Sequence, residues 1–228
     1  MIAAAGSGSR LGAGGPKALV EVAGRPLVAW SLAAFGHASS VDRVVIAAPP
    51  GHEEAMTRLA PGAVVVTGAD SRSASVAAAL ARVESEVVAV HDAARPCVTA
   101  DLIDALVARL VARPDAAAVI AAAPLADTVK RAREARPAAG PVPRGGPTVA
   151  RTESREHLWA AQTPQVFRTE SLREALAGDP QRIAAASDDA MLVEAAGGQV
   201  LIEPAPASNM KVTTPDDVTI AAALLARR

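Results

Sequence analysis

The segment Ala3-Ala4-Ala5-Gly6-Ser7-Gly8-Ser9-Arg10-Leu11, followed by Pro16-Lys17, places two cations seven positions apart behind a run of small residues. Glycines carry no Cβ, so such a run lets backbone N–H groups close around phosphate oxygens, and the cations neutralise charge that builds there. Arg10 and Lys17 are the candidate phosphate clamps; Gly6, Ser7 and Gly8 form the candidate cradle. The pattern is not the dinucleotide fingerprint, which would need glycine at Leu11. Nor is it a Walker A loop, because Lys17 follows a proline and precedes Ala18 rather than serine or threonine. The plainer alternative is a flexible Gly/Ser turn.

A second cluster, His91-Asp92-Ala93-Ala94-Arg95-Pro96, follows the apolar run Glu86 to Val90. Open parallel sheets bind ligands outside the carboxyl ends of their strands. An aspartate at such an end can hold a divalent cation beside triphosphate oxygens, which makes Asp92 the candidate metal carboxylate. Asp92 could instead cap a helix beginning near Thr99, and His91 reads best as a buried, hydrogen-bonded imidazole. Among 23 basic residues the lysines are Lys17, Lys130 and Lys211. In an arginine-dominated chain they either mark sites needing a compact point charge or reflect drift at the surface.

The rest of the composition narrows the class. The 228 residues, 50% of them hydrophobic, suffice for one α/β domain with a real core. A net charge of −1 argues against a protein that coats nucleic acid or an anionic membrane. Apolar stretches fall short of the ~20 residues a bilayer span needs, and no signal-peptide pattern opens the chain. The single cysteine, Cys97, forbids an intrachain disulfide and fits the cytoplasm. His37, His52, His91 and His157 are scattered without zinc-ligand spacing, so any metal is expected to be hard, oxygen-bound and partly held by substrate.

The elements that must position these groups alternate. Apolar runs at Asp42 to Pro49, Ala63 to Val66, Glu86 to Val90, Ala116 to Pro124 and Gln199 to Glu203 read as strands. Helical stretches cover Pro26 to Phe35, His52 to Leu59, Ser71 to Val83, Thr99 to Val111, Thr169 to Leu176 and Asp188 to Ala196. A closing helix, Pro215 to Leu225, has Thr214 as N-cap and proline in its first turn. This rhythm predicts an α/β, Rossmann-like domain: a mostly parallel sheet with helices on both faces. The stretch Arg131 to Pro147, rich in Arg, Pro and Gly, breaks the rhythm and is expected to be an exposed excursion between extended segments near Thr128 and Val149.

The opening resembles the LPAAGxGxRxxxxxPKxx start of nucleotidylyltransferases, and His91-Asp92-Ala93-Ala94-Arg95-Pro96-Cys97 is similar to the 2-C-methyl-D-erythritol 4-phosphate cytidylyltransferases of the non-mevalonate isoprenoid pathway. Gly68 to Val76, Asp127 to Lys130, Leu158 to Phe167, Ser187 to Ala190 and Asn209 to Thr213 extend the resemblance, in order, over the whole chain. It implies a nucleotidyltransferase domain, residues 1–228, that takes CTP and a polyol phosphate with Mg²⁺ or another divalent cation. The acceptor phosphate would attack the α-phosphorus in line and expel pyrophosphate. It further implies that Ala4, Ala5 and Gly6 approach the nucleotide, and that Gly68, Ala69, Asp70 and Ser75 read the cytosine. Ala93 would lie at the ribose, and Asp92 by the metal and the acceptor. Lys211 would meet the reacting phosphates. Arg95, Thr128, Arg155, Thr163 and Ser187 would contact the acceptor. Residues 128–155 would form a protruding β-arm that embraces a second subunit, with Arg95, Thr128 and Arg155 completing the partner's site.

The chain departs from the family pattern in its short first strand, in Ala3 where proline is common, and in Ser154 and Ser208 where acids occur. Two other readings remain open at this point. One is a cytidylyltransferase for another polyol phosphate such as ribitol 5-phosphate; the other is a nucleotide-binding homologue without turnover. An NAD-dependent oxidoreductase lacks its third glycine.

Overall fold

The structure, a computed structural model, describes residues 1–6, 8, 11, 14–133 and 147–227. Its strands and helices, in chain order, begin with β1 (Ile2–Ala3), a single 3₁₀ turn (Lys17–Leu19), β2 (Glu21–Val22), β3 (Arg25–Pro26), α1 (Leu27–His37) and β4 (Val45–Ala48). There follow α2 (Glu53–Leu59), β5 (Val64–Thr67), α3 (Arg72–Leu80), β6 (Val87–Asp92), α4 (Ala100–Val111) and β7 (Ala118–Pro124). The chain continues through β8 (Lys130–Ala132), β9 (Val149–Thr152), β10 (Trp159–Arg168), α5 (Thr169–Leu176), α6 (Pro180–Ala185), α7 (Asp189–Ala195), β11 (Val200–Pro204) and α8 (Pro215–Leu225).

Seven strands form one sheet in the order β11-β7-β10-β6-β1-β4-β5. β1 runs parallel to β4 and β6, β4 to β5, and β11 to β7; β10 runs antiparallel to β6. After β5 the chain crosses back over β1 to lay down β6 on its other side, so the strand order reverses between β1 and β6. Reversal points of this kind open a crevice at the carboxyl ends of the strands.

The expected burial on both faces is present. Val45 and Ala47 of β4 pack with Val76 and Leu80 of α3 and Leu172 of α5. Ile46 and Ala48, the alternate residues, pack with Phe35 of α1, Met56 of α2 and Ile103 of α4. The two-residue β1 is sufficient because it is central: Ile2 is fully buried and Ala4 N–H continues the pairing to the Ala47 carbonyl at 3.0 Å. Thr214 caps α8 in a capping box with Asp217, and Pro215 opens its first turn, as the sequence signals. Among the described residues no helix is long and apolar enough to cross a membrane.

The chain divides into two compact units, residues Met1–Ala122 with Ala161–Arg228, and residues Ala123–Ala160. The second unit holds the expected excursion. Its described part is a two-stranded antiparallel ribbon, β8 with β9, in which Lys130 faces Thr152 and the register shifts at Arg131/Ala132. Glu153 accepts from both Arg131 and Arg151 there. Residues 134–146 of the expected arm lie outside the described residues.

Candidate active site

A cleft of about 550 Å³ opens at the carboxyl ends of β1 and β6. Ala3, Ala4, Ala5, Gly6, Gly8 and Lys17 line one wall; Asp70, Arg72, Asp92, Ala93 and Lys211 are among the residues of the others. Register explains the assembly. Ala3 stands opposite Asp92 in the β1–β6 pair, so the end of β6 delivers its carboxylate beside the start of the small-residue loop.

That loop folds back on itself. The Lys17 N–H donates to the Gly6 carbonyl at 3.1 Å, and Leu11 N–H to the Gly8 carbonyl at 2.8 Å. Gly8 has φ +70°, and a Cβ there would lie 3.0 Å from the Lys17 Cβ and 3.1 Å from its Cα. The left-handed conformation therefore calls for glycine, and a Cβ would in addition crowd Lys17. Gly68, after β5, is required by proximity alone: its Cβ would meet the Ala5 Cβ at 2.3 Å and the Ala48 carbonyl at 2.8 Å. The loops after β1 and β5 are thereby pressed together. Ser75 pins the second loop, accepting from Ala69 N–H at 2.9 Å and lying 2.9 Å from the Ser71 carbonyl.

Asp92 sits between two cations. Arg72 Nε donates to its Oδ1 at 3.0 Å and Lys211 Nζ to its Oδ2 at 2.6 Å. Burial works to raise the Asp92 pKa, but the charges and hydrogen bonds of Arg72 and Lys211 outweigh it and hold the carboxyl well below the usual range. Arg72 also donates Nη1 to Asp189 Oδ2 at 2.8 Å. For Asp189, completely buried, desolvation wins and its pKa is raised. Asp92 does not cap α4: Thr99 accepts from Leu102 N–H and performs that task itself.

The segment bearing Lys211 is fixed from both sides. Asn209 donates its amide to Gln162 Oε1 at 2.8 Å and to the Thr163 carbonyl at 2.9 Å, and Val212 N–H reaches the Ala94 carbonyl at 2.8 Å. Arg95, buried, donates Nη1 to the Asn209 carbonyl at 2.8 Å. His91 is the expected internal imidazole. Burial lowers its pKa to about 3, and a neutral ring protonated on Nε2 satisfies both the Arg95 carbonyl at 3.2 Å and Thr163 Oγ1 at 3.1 Å.

The structure thus brings Ala4, Ala5, Gly6, Gly8, Lys17, Ala69, Asp70, Ser75, Asp92, Ala93 and Lys211 to one cleft, with Gly68 directly behind it. Arg10 and Ser7 lie outside the described residues. Three of the expected acceptor residues do not line this cleft. Arg95 is engaged with backbone carbonyls. The Thr163 hydroxyl accepts from Asp92 N–H at 3.0 Å and faces His91. Ser187 is exposed between α6 and α7. Thr128 and Arg155 belong to the second unit and are exposed within it.

Sequence reasoning missed Arg72 and Asp189. Both lie inside segments that resemble the family, but neither sits at a strand end or in a glycine loop, and only the fold brings positions 72, 92 and 189 together. Among the described residues no three His, Cys, Asp or Glu side chains cluster to hold a metal. The donor set suits a hard ion that arrives on a triphosphate and takes one carboxylate, since Asp92 has further lone pairs beyond the two in use.

A model of the family described as "IspD: 2-C-methyl-D-erythritol 4-phosphate cytidylyltransferase" matches residues 1–227. The 2-C-methyl-D-erythritol 4-phosphate cytidylyltransferase of Deinococcus radiodurans is 43% identical over 224 residues, covering 98% of this chain and 88% of its own. The enzyme of the same name from Burkholderia cenocepacia strain HI2424 is 39% identical over 236 residues, covering 100% of this chain and 95% of its own. The crystal structure of the Thermus thermophilus enzyme, also of that name, superposes with a TM-score of 0.76 at 34% identity, covering 100% and 98% of the two chains.

Proposed function

The chain belongs to the family of 2-C-methyl-D-erythritol 4-phosphate cytidylyltransferases, and from that premise we infer how its cleft performs the family's reaction. The enzyme transfers a cytidylyl group from CTP to 2-C-methyl-D-erythritol 4-phosphate, a step of isoprenoid biosynthesis. An acceptor phosphate oxygen forms a bond to the α-phosphorus, the bond to the bridging α,β-oxygen breaks, and pyrophosphate carries that electron pair away. No covalent enzyme intermediate is needed, so the protein contributes position and charge.

The observation that carries this reading is the convergence of Lys17 and Lys211 on one cleft walled by the small-residue loop. Backbone from Ala4 to Gly8 would cradle the triphosphate, with Lys17 and Arg10 over its β and γ oxygens. An ammonium has three donors. Lys211 uses one on Asp92 and directs the others at the α-phosphate and the incoming acceptor. Ala69 and Asp70, presented by a loop that Ser75 holds rigid, would read the cytosine edge, and Ala93 would abut the ribose. Asp92 would hold a Mg²⁺ ion brought by CTP, which when bound supplies positive charge to the triphosphate oxygens.

We further propose that the second unit, through Thr128 and Arg155, completes the acceptor site of a second copy, so that the working enzyme is a homodimer. Exposed Val149, Leu158 and Trp159 in that unit supply apolar surface for such a contact. A single, buried thiol supports a cytoplasmic location.

Pyrophosphate release from CTP tests the assignment directly. The expected result is rapid release with 2-C-methyl-D-erythritol 4-phosphate and little with ribitol 5-phosphate. A reversed preference would transfer the enzyme to the other polyol, and no release with either would leave a nucleotide-binding protein.

A further inference from the structure

One ion pair in the site has no part in the reading above. Asp189, in the first turn of α7, is completely buried and does not line the cleft, yet its carboxylate holds Arg72 at 2.8 Å. The same guanidinium uses a different nitrogen to hold Asp92 at 3.0 Å, and Asp92 in turn holds Lys211 at 2.6 Å. Charges alternate along this row, from α7 through α3 and β6 to the segment before α8. We infer that Arg72 and Asp189 are positioning residues for the transfer reaction: Asp189 anchors Arg72, Arg72 fixes Asp92, and Asp92 aims the Lys211 ammonium. The inference rests on the site reading above, because Lys211 must be the group that is aimed.

Stability alone gives no reason for the pair, since a buried ion pair is often no better than apolar side chains of the same volume. Asp189 also keeps an Oδ1 with no hydrogen-bond partner, a cost that packing does not explain. Position does explain it. Arg72 stands at the first residue of α3 and lines the cleft, where a loose guanidinium would fall onto the triphosphate. Tying one edge of it to a carboxylate that substrate cannot reach holds the other edge on Asp92. Asp189 is itself well fixed: its neighbour Asp188 caps α7 through Met191 N–H and accepts from Gln165 Nε2, and Gln165 Oε1 accepts from Ala190 N–H. The first turn of α7, which carries Asp189, is thereby tied to β10 on the sheet.

A double-mutant cycle tests the relay. Arg72→Lys, Arg72→Gln and Asp189→Asn are made alone and in an Asp92→Asn background, and kcat, KM for CTP and Tm are measured for each. Arg72→Gln is expected to lose about 10- to 100-fold in kcat, as supporting residues of a site commonly do, with KM for CTP little changed. Arg72→Lys should do no better, because one ammonium cannot span two carboxylates as the planar fork does. Asp189→Asn, nearly isosteric, should lose kcat in the same direction and covers the case in which an Arg72 variant fails to fold. In the Asp92→Asn background all three should change kcat by no more than about twofold while still lowering Tm.

Wild-type kcat in Arg72→Lys, or losses that multiply undiminished on top of Asp92→Asn, would overturn the relay. So would kcat losses that follow Tm in both backgrounds. Full turnover in Asp92→Asn itself would overturn the reading of the site, and the relay with it.

Discussion

An ammonium donates in three directions, and the value of a lysine here lies in what its remaining donors can reach once the protein has fixed the first. Lys17 has its backbone N–H on Gly6 and its Cα against Gly8, so the side chain leaves the loop at a set point. Lys17→Ala is expected to lower kcat by about 10²- to 10³-fold, the usual loss when one stabiliser of developing charge is removed, with Tm unchanged. A raised KM at constant kcat would mark ordinary substrate binding instead. Lys17, behind the small-residue run, and Asp92, at the close of an apolar run, were legible in the sequence from their surroundings, and Lys211 was legible from the family resemblance. Arg72, one arginine among many, was not. Nor could sequence show that Thr163 and Arg95 turn inward to hold Asp92 N–H and the Asn209 carbonyl.

Elements set these side chains in place through a few tight junctions. Gly68 lies under Ala5, so Gly68→Ala must force the loops after β1 and β5 apart. Its expected effect is a higher KM for CTP with a smaller change in Tm, measurable by steady-state kinetics and thermal melts. Helix α8 anchors the segment carrying Lys211, and its Asp217 accepts from the Thr213 hydroxyl and from Thr213 and Thr214 N–H. These bonds lower the Asp217 pKa from 3.8 to about 2. A carboxyl depressed by folding stabilises above its unfolded pKa and loses that contribution as pH falls through the folded value. Stability should therefore drop between about pH 4 and pH 2, and Asp217→Asn should flatten that limb of a Tm-versus-pH profile; the side chain is partly exposed, so the effect is at most about 1 kcal/mol. Helix α8 was readable from Thr214 and Pro215, as were α3 and α4 from Ser71 and Thr99, because caps are local. Strand β10 was not. Gln162, Thr163, Pro164 and Gln165 interrupt its apolar pattern, and their side-chain polar groups find partners far along the chain, among them Asp188, His91, Asp92 and Asn209.

At the scale of the whole molecule, Thr128 and Arg155 lie in the second unit, and the role proposed for them is to complete the acceptor site of a second copy. If each second unit serves its partner, mixing Lys211→Ala with Arg155→Ala under conditions of subunit exchange restores activity. Half the dimers are mixed and each carries one intact site, so about one quarter of wild-type turnover should return. No recovery would mean that each chain completes its own site. The mostly parallel sheet was legible from strand–helix alternation, but its strand order, and with it the reversal between β1 and β6, was not, because alternation does not say on which side of β1 each strand is laid down. The most direct test of the central claim is the single-turnover rate of CDP-methylerythritol formation by Lys211→Ala at saturating CTP and acceptor. A fall of about 10²- to 10³-fold is expected in a variant that melts like wild type; a wild-type rate in that folded variant would contradict a role for Lys211 at the reacting phosphates.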